Sequence, residues 1–172
     1  ATGLEADKDR IVEVAITKFR GKEILETAEW LVNPECEIPE SSIAIHNITQ
    51  EMVKDAPKER EIIGEILRIA GSHIIVGHGI GFDIALIVNA AQRCGIHCTL
   101  QHNRTIDTLR MARIYGESKT NSLENLRLHF NVMAEGAHRA MSDVVVNIEV
   151  FRYLARAYRS AEEILRRLEK PI

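Results

Sequence analysis

Ile74-Ile75-Val76-Gly77-His78-Gly79-Ile80-Gly81-Phe82-Asp83 is the stretch that decides the fold. It opens as a short, continuously apolar run, the pattern of a strand buried in a parallel sheet. It then turns into a helix that the pattern carries from Phe82 to Cys94, closed by Gly95. A carboxylate where a buried strand ends stands where α/β sheets place their ligands. Taken alone, Asp83 reads equally well as a helix N-cap.

Upstream, Ile11 to Phe19 is β-branched and roughly alternating, and Leu25 to Val32 follows the turn at Gly21-Lys22, so the two form a hairpin. Asn33-Pro34 and Pro39 lead out into a loop, and Thr49 caps a short helical turn. A helix starts at Pro57 and reaches about Ala70, with Ile62, Ile63, Ile66, Leu67 and Ile69 on one face and Gly71 at its end. Downstream, Thr105-Ile106 ends a short strand, and Asp107 caps a helix to Tyr115. Asn121 or Ser122 caps another through Phe130, and residues 131–138 are a loop. A long helix runs from about Ala140 to Tyr158, and Ser160 to Glu163 reads as a capping box opening a last one. A hairpin followed by α/β alternation argues a mixed sheet covered by helices.

The 172 residues suit one domain, 1–172. Hydrophobic residues at 45% and charged residues at 27% exclude a disordered chain and a collagen. A net charge of −3 leaves no global basic excess, so any nucleic-acid contact must be local. No apolar run is long enough for a transmembrane helix, and no signal peptide is visible at the N-terminus. Three cysteines are an odd count for a disulfide framework and favour a reducing compartment, the cytoplasm by default.

Two more patterns carry chemistry. In His138-Arg-Ala-Met-Ser-Asp143, the imidazole belongs to a Gly-containing loop and the carboxylate to the first turns of the following helix. A surface histidine beside a capping aspartate gives the same pattern. Ile45-His46-Asn-Ile-Thr49, with Met52-Val53 and Ala56-Pro57, is by itself only a capped turn.

In this order the patterns resemble the DEDDh group of 3′→5′ exonucleases, the DnaQ-like proofreading nucleases whose members include the epsilon subunit of bacterial DNA polymerase III. Ala1-Thr2-Gly3-Leu4 resembles the end of the family's first motif, and Asp9 to Ala15 the strand after it. Ile45 to Pro57 resembles its His-Gly-Ile-Thr stretch, Asp83 its second motif, and Ile106 to Arg113 its Ile-Asp-Thr-Leu helix. Ser122 to Leu126 and His138 to Asp143 complete a likeness over nearly the whole chain. The resemblance implies a ribonuclease H-like α/β fold, a mixed five-stranded sheet flanked by helices. It implies a metal-dependent 3′→5′ exonuclease that releases nucleoside 5′-monophosphates from DNA, in proofreading or repair. Its cofactors are two divalent ions, Mg²⁺ or Mn²⁺, which take carboxylate oxygens and clamp the displacement from both sides. Asp83 and Asp143 are the implied metal ligands and His138 the general base. Thr2, Leu4, His46 and Phe82 line the pocket for the terminal nucleotides. The partners implied are a single-stranded or frayed 3′ end, of DNA or by variation of RNA, and a DNA polymerase catalytic subunit.

The sequence departs from that pattern twice. The family's first motif is Asp-x-Glu-Thr-Thr-Gly-Leu, and this chain matches it only from Ala1. Half of the acidic set is therefore not among these residues, and the first strand of the sheet is missing with it. Each unpaired backbone group left inside a sheet costs about 1–3 kcal/mol, against roughly 5–15 kcal/mol of domain stability. The expectation is that about ten residues, one strand's worth, precede Ala1. With them the protein is active; the 172 residues alone are not. Secondly, Gly79 stands where the family has Asn, which weakens the grip on the terminal nucleotide.

Other readings stay open. RNA-end or oligoribonucleotide trimming is a variant on the same fold, and a catalytically silent nucleic-acid-binding module follows if the Asp-x-Glu is truly absent. Cys94, His97, Cys98 and His102 have zinc-like spacing without a second cysteine pair. The run Arg152, Arg156, Arg159, Arg166, Arg167, interleaved with Glu162, Glu163 and Glu169, is a solvated helix face.

Overall fold

The computed structural model describes residues 1–115, 118, 120–133 and 139–168, with the side chains of 161–168 left aside. The hairpin forms as the alternation requires. β1 (Glu13–Arg20) pairs antiparallel with β2 (Glu23–Leu31), Val14 opposite Trp30, with a register shift between Lys18 and Phe19. Gly21 supplies the positive φ, 58°, that the turn needs. After β2 the chain enters α1 (Glu40–His46), where the sequence reads as a loop. This corrects that expectation. Pro39 sits at the N-cap, and Asn47 ends the helix in the left-handed region at φ 57°. α2 (Gln50–Val53) is capped as expected, the Thr49 hydroxyl accepting from the Met52 N–H.

α3 (Glu59–Ala70) begins two residues later than Pro57 suggests. Its start is set by Glu61, whose carboxylate reaches back to accept from the Lys58 N–H at 2.8 Å. Of its buried face, Ile62, Ile63 and Ile66 pack with Ile11, Val32 and α4 (Gly81–Arg93) into the first of three apolar clusters. Glu59 is buried in the same region. It accepts from the Ile11 N–H at 3.1 Å and from Arg93 Nη2 at 2.9 Å, tying the strand entry to two helices.

The decisive stretch folds as read. β3 (Ile75–Gly77) pairs in parallel with β4 (Thr105–Asp107), Gly77 beside Asp107. A Cβ on Gly77 would come within 2.9 Å of Ile80 Cβ, so the strand can leave its ladder here only through glycine. α5 (Thr108–Tyr115) and α6 (Leu123–His129) follow. α6 is capped by Ser122, which accepts from the Asn125 N–H. α7 runs unbroken from Ala140 to Leu168. The separate last helix expected after Ser160 is thereby corrected. The Ser160 hydroxyl donates to the Arg156 carbonyl at 3.2 Å, the mid-helix back-bond of a serine and not a cap.

Among the described residues the four strands make two ladders, β1–β2 and β3–β4, with no hydrogen bonds from β1 to β3. α7 bridges them by packing against both β1 and β3. A second apolar cluster joins α7 (Val146, Val150, Leu154) to Ala112 and Leu126, and a third gathers Val12, Ile38, Ile48 and Val53 under α1 and α2.

Candidate active site at the ends of the parallel strands

Asp107, last residue of β4, organises the turn after β3. One of its oxygens, Oδ1, accepts from the Gly79 N–H and from the Leu109 N–H, each at 2.9 Å. It therefore caps α5, as expected, and also clamps the loop that leads to Asp83. Gly79 sits in the left-handed region at φ 70°, a conformation that among L residues Asn adopts most readily. A Cβ there would meet only Leu109 Cδ2, at 4.0 Å.

Asp83 lies inside the first turn of α4, two residues past its start, so it is not the N-cap. Water reaches its side chain, yet protein crowds it on the remaining sides. That desolvation, with the charge of Asp107 adding to it, pushes the carboxyl up to about 6. The Ala1 ammonium is the cationic group in electrostatic range, and its own pKa falls below the ordinary value because it is buried. Asp83 is in no salt bridge with a side chain among the described residues.

The turn after Ala1 is built around Asp9. The Thr2 hydroxyl donates to Asp9 Oδ1 at 2.9 Å and accepts from the Arg10 N–H at 2.9 Å, while Asp9 Oδ2 accepts from the Glu5 N–H at 2.7 Å. A Cβ on Gly3 would come within 2.7 Å of Asp9 Cγ, so glycine alone lets the turn close on the carboxylate. Thr2 is buried with its hydroxyl engaged inside the turn, whereas Leu4 stands out at 87% exposure. His46, at the end of α1, uses Nδ1 to accept from the Ile48 N–H at 3.0 Å. Nε2 therefore carries the proton; the atom is buried, and the Ala1 backbone lies within hydrogen-bonding reach of the ring. Burial lowers the His46 pKa, with Ala1 and Glu13 also in range. Phe82 packs against the first apolar cluster.

Asp143 lies in the first turn of α7. Two contacts bracket it. Before it, Glu13 of β1 holds the start of the helix: Oε2 accepts from the Ala140 N–H at 2.8 Å and Oε1 from Arg139 Nε at 2.8 Å. One helical turn after it, the buried Asn147 donates from Nδ2 to the Thr108 hydroxyl at 2.7 Å. Thr108, fully buried, also donates to the Gly77 carbonyl at 3.2 Å and lies 3.1 Å from His78 Nδ1. The same polar cluster thus holds the end of β3 and the face of α7 that carries Asp143. His138 lies outside the described residues.

Ala1, Asp9, Glu13, His46 and Asp83 fall within one electrostatic neighbourhood. Glu13, Asp107 and Asn147 were not visible as site residues in the sequence. The one available signal was a charged Glu13 between buried Val12 and the apolar run of a strand. Among the described residues no group of three or more His, Cys, Asp or Glu side chains has the geometry to hold a metal. Cys94, His97, Cys98 and His102 do not come together as such a group. Asp83 itself fits a hard cation on its donor chemistry: it is an anionic oxygen pair, crowded by protein, that no cationic side chain offsets.

Known proteins resemble most of this chain. A family model described as exonuclease, RNase_T, matches residues 1–151. The DNA polymerase III PolC-type protein of Caldanaerobacter subterraneus subsp. tengcongensis is 33% identical over 151 residues, covering 87% of this chain and 11% of the relative. That of Bacillus subtilis is 33% identical over 143 residues, 83% of this chain and 10% of the relative. The chain therefore spans about a tenth of the length of the curated relatives it matches. In fold it is similar to exonuclease X in complex with 5′ overhanging duplex DNA, with TM-score 0.70 and 24% identity over 91% of this chain and 87% of that one. It is similar also to E. coli exonuclease I in complex with a dT13 oligonucleotide, with TM-score 0.83 and 17% identity over 95% of this chain and 41% of that one. These neighbours have the ribonuclease H-like fold, and the mixed α/β architecture expected from the sequence is the one found.

Proposed function

We propose, from the premise that the chain belongs to the RNase_T exonuclease family, that it removes nucleotides from DNA 3′ ends in proofreading or repair. The observation that carries this reading is Asp83. It is a carboxylate crowded by protein and, among the described residues, in no side-chain salt bridge, in the first turn of the helix that follows the C-terminal end of a parallel strand pair. The products are nucleoside 5′-monophosphates. Asp83 and Asp143 would hold two Mg²⁺ or Mn²⁺ ions, and the ions supply positive charge to the oxygens of the breaking phosphodiester. His138 takes the proton of the attacking water. His46, with Phe82 and the exposed Leu4, borders the pocket for the terminal nucleotide. Thr2 shapes that wall through Asp9.

A polypeptide restricted to these 172 residues carries two of the family's four acidic positions, so on this reading it is inactive by itself. The whole forms one exonuclease domain, and a DNA polymerase catalytic subunit is the partner proposed from the PolC-type relatives. The cytoplasm is the proposed compartment. The three cysteines are unpaired, and among the described residues no helix is long and apolar enough to cross a membrane.

The test uses 5′-labelled single-stranded DNA and short RNA, with Mg²⁺ or Mn²⁺ and an EDTA control. The substrates are given to these 172 residues and to an upstream-extended chain in which a strand bearing the family's Asp-x-Glu is joined ahead of Ala1. Shortening from the 3′ end by the extended chain alone is the expected result. Asp143→Ala in that chain should abolish turnover without unfolding. His138→Ala should slow it by roughly 10²-fold or more with metal binding retained. Full activity of the 172 residues, or of either variant, overturns the corresponding assignment, and degradation of RNA in preference to DNA moves the function to RNA-end trimming.

A further inference from the structure

We infer that Glu13 is a positioning residue for the active site: it sets where the start of α7 stands, and with it Asp143. The inference rests on the exonuclease reading above. Glu13 is an acidic residue on a strand whose neighbours are apolar, and its side chain is only 10% exposed. Both of its oxygens are used on one short segment more than a hundred residues away. Oε2 accepts from the Ala140 N–H, one of the donors that a helix start leaves without an internal partner. Oε1 accepts from Arg139 Nε at 2.8 Å and lies 2.7 Å from Arg139 Nη2, a two-pronged contact. The pairing raises the Arg139 pKa, chiefly through the hydrogen bonds to Glu13.

The two residues held are Arg139, which directly precedes α7, and Ala140, which opens the turn holding Asp143. Asn147 fixes the same helix one turn later against Thr108. A rigid helix held at two points has its register and azimuth defined between them. Asn147 alone would leave the first turn free to fray, since helix ends lack half their hydrogen bonds. Glu13 thus connects β1 to the segment that carries the His-to-Asp pattern, a task that stability alone does not require of a strand residue.

The experiment compares Glu13→Ala, Glu13→Gln and a distant α7 control, Glu149→Ala, whose partner Arg152 lies beyond the site. The upstream-extended chain is used throughout. Amide exchange at Ala140 to Asp143 is measured without metal, Mn²⁺ binding by water-proton relaxation, and kcat and KM on single-stranded DNA. In Glu13→Ala, exchange at Ala140 to Asp143 should quicken about tenfold, the effect of losing a helix cap. Mn²⁺ affinity should fall, and kcat should drop by about tenfold or more with KM within twofold, as a misplaced catalytic group requires. Glu13→Gln keeps an acceptor for the Ala140 N–H and should recover most of each loss, while Glu149→Ala should change none. If Glu13→Ala folds and both exchange at Ala140 and kcat stay at the parent values, the inference is overturned. If it does not fold, Glu13→Gln at parent values of all three readouts supports the cap. Loss of kcat in Glu13→Gln without faster exchange overturns it. A parent inert on every nucleic acid refutes the exonuclease reading instead, and exchange at Ala140 still decides whether Glu13 holds the helix.

Discussion

Replacing Asp83 with Asn should make the metal-free protein more stable at neutral pH while removing its activity. The carboxyl is raised from an ordinary value of 3.8 to about 6, with crowding by protein as the main cause. An acid whose pKa is higher folded than unfolded binds its proton more tightly in the native state, so stability falls as pH rises from about 4 through 6. At about 1.4 kcal/mol per pH unit the full penalty would approach 3 kcal/mol. Water reaches the side chain, and screening reduces that to about 1 kcal/mol. Asp83→Asn removes the charge at nearly constant shape. It should raise the melting temperature at pH 8 by about 2–4 °C, with most of the gain gone at pH 4.5. Mg²⁺ should stabilise the parent and not the variant. Differential scanning calorimetry at the two pH values, with and without Mg²⁺, reads all of this. An equal increment at pH 4.5 and 8, or a variant no more stable than the parent at pH 8, would refute the argument that a confined charge is held at this point.

Glu59→Ala removes the common partner of Arg93 and the Ile11 N–H and should cost about 3–5 kcal/mol in urea unfolding, because it strands a partly buried cation. Asn147→Ala leaves the buried Thr108 hydroxyl without its 2.7 Å donor and should cost about 1–3 kcal/mol. Its spectroscopic trace should be a shift in the His78 ring resonances. Gly79→Asn should fold with a loss of no more than about 1 kcal/mol, since the space is open and Asn tolerates positive φ. It should also tighten single-stranded DNA binding, measured by fluorescence anisotropy on the upstream-extended chain. Unchanged affinity would show that the missing amide is not what grips the nucleotide.

What could be read from the chain alone was local. The strand–turn–helix at 74–83, the hairpin at Gly21, and the caps at Thr49 and Ser122 each follow from a few adjacent residues, and each is present. α1 escaped notice because seven residues with no buried side chain leave no apolar stripe. Ser160 reads as a cap only until its hydroxyl finds the carbonyl of Arg156 in an already formed helix. The parts of the site that were missed are all tertiary. Asp107 reads as a cap, and its second role toward Gly79 needs the β3–β4 register. Asn147 looks like any polar residue on a long helix until Thr108 is placed under it. Glu13 looks like a solvent-facing strand residue until Ala140 arrives. Asp143 was singled out by spacing and family likeness, and its bracketing by Glu13 and Asn147 was not.

The clasp between Glu13 and Ala140 also has a history in time. Its two halves are synthesised 127 positions apart. At ribosomal speed the hairpin waits roughly 6–25 s for the helix that will cover it. Through that interval Phe19, which ends with its ring 6.1 Å from Phe151, has nothing from α7 to lie against. The outer aromatic ring of the hairpin is thus covered only when α7 docks.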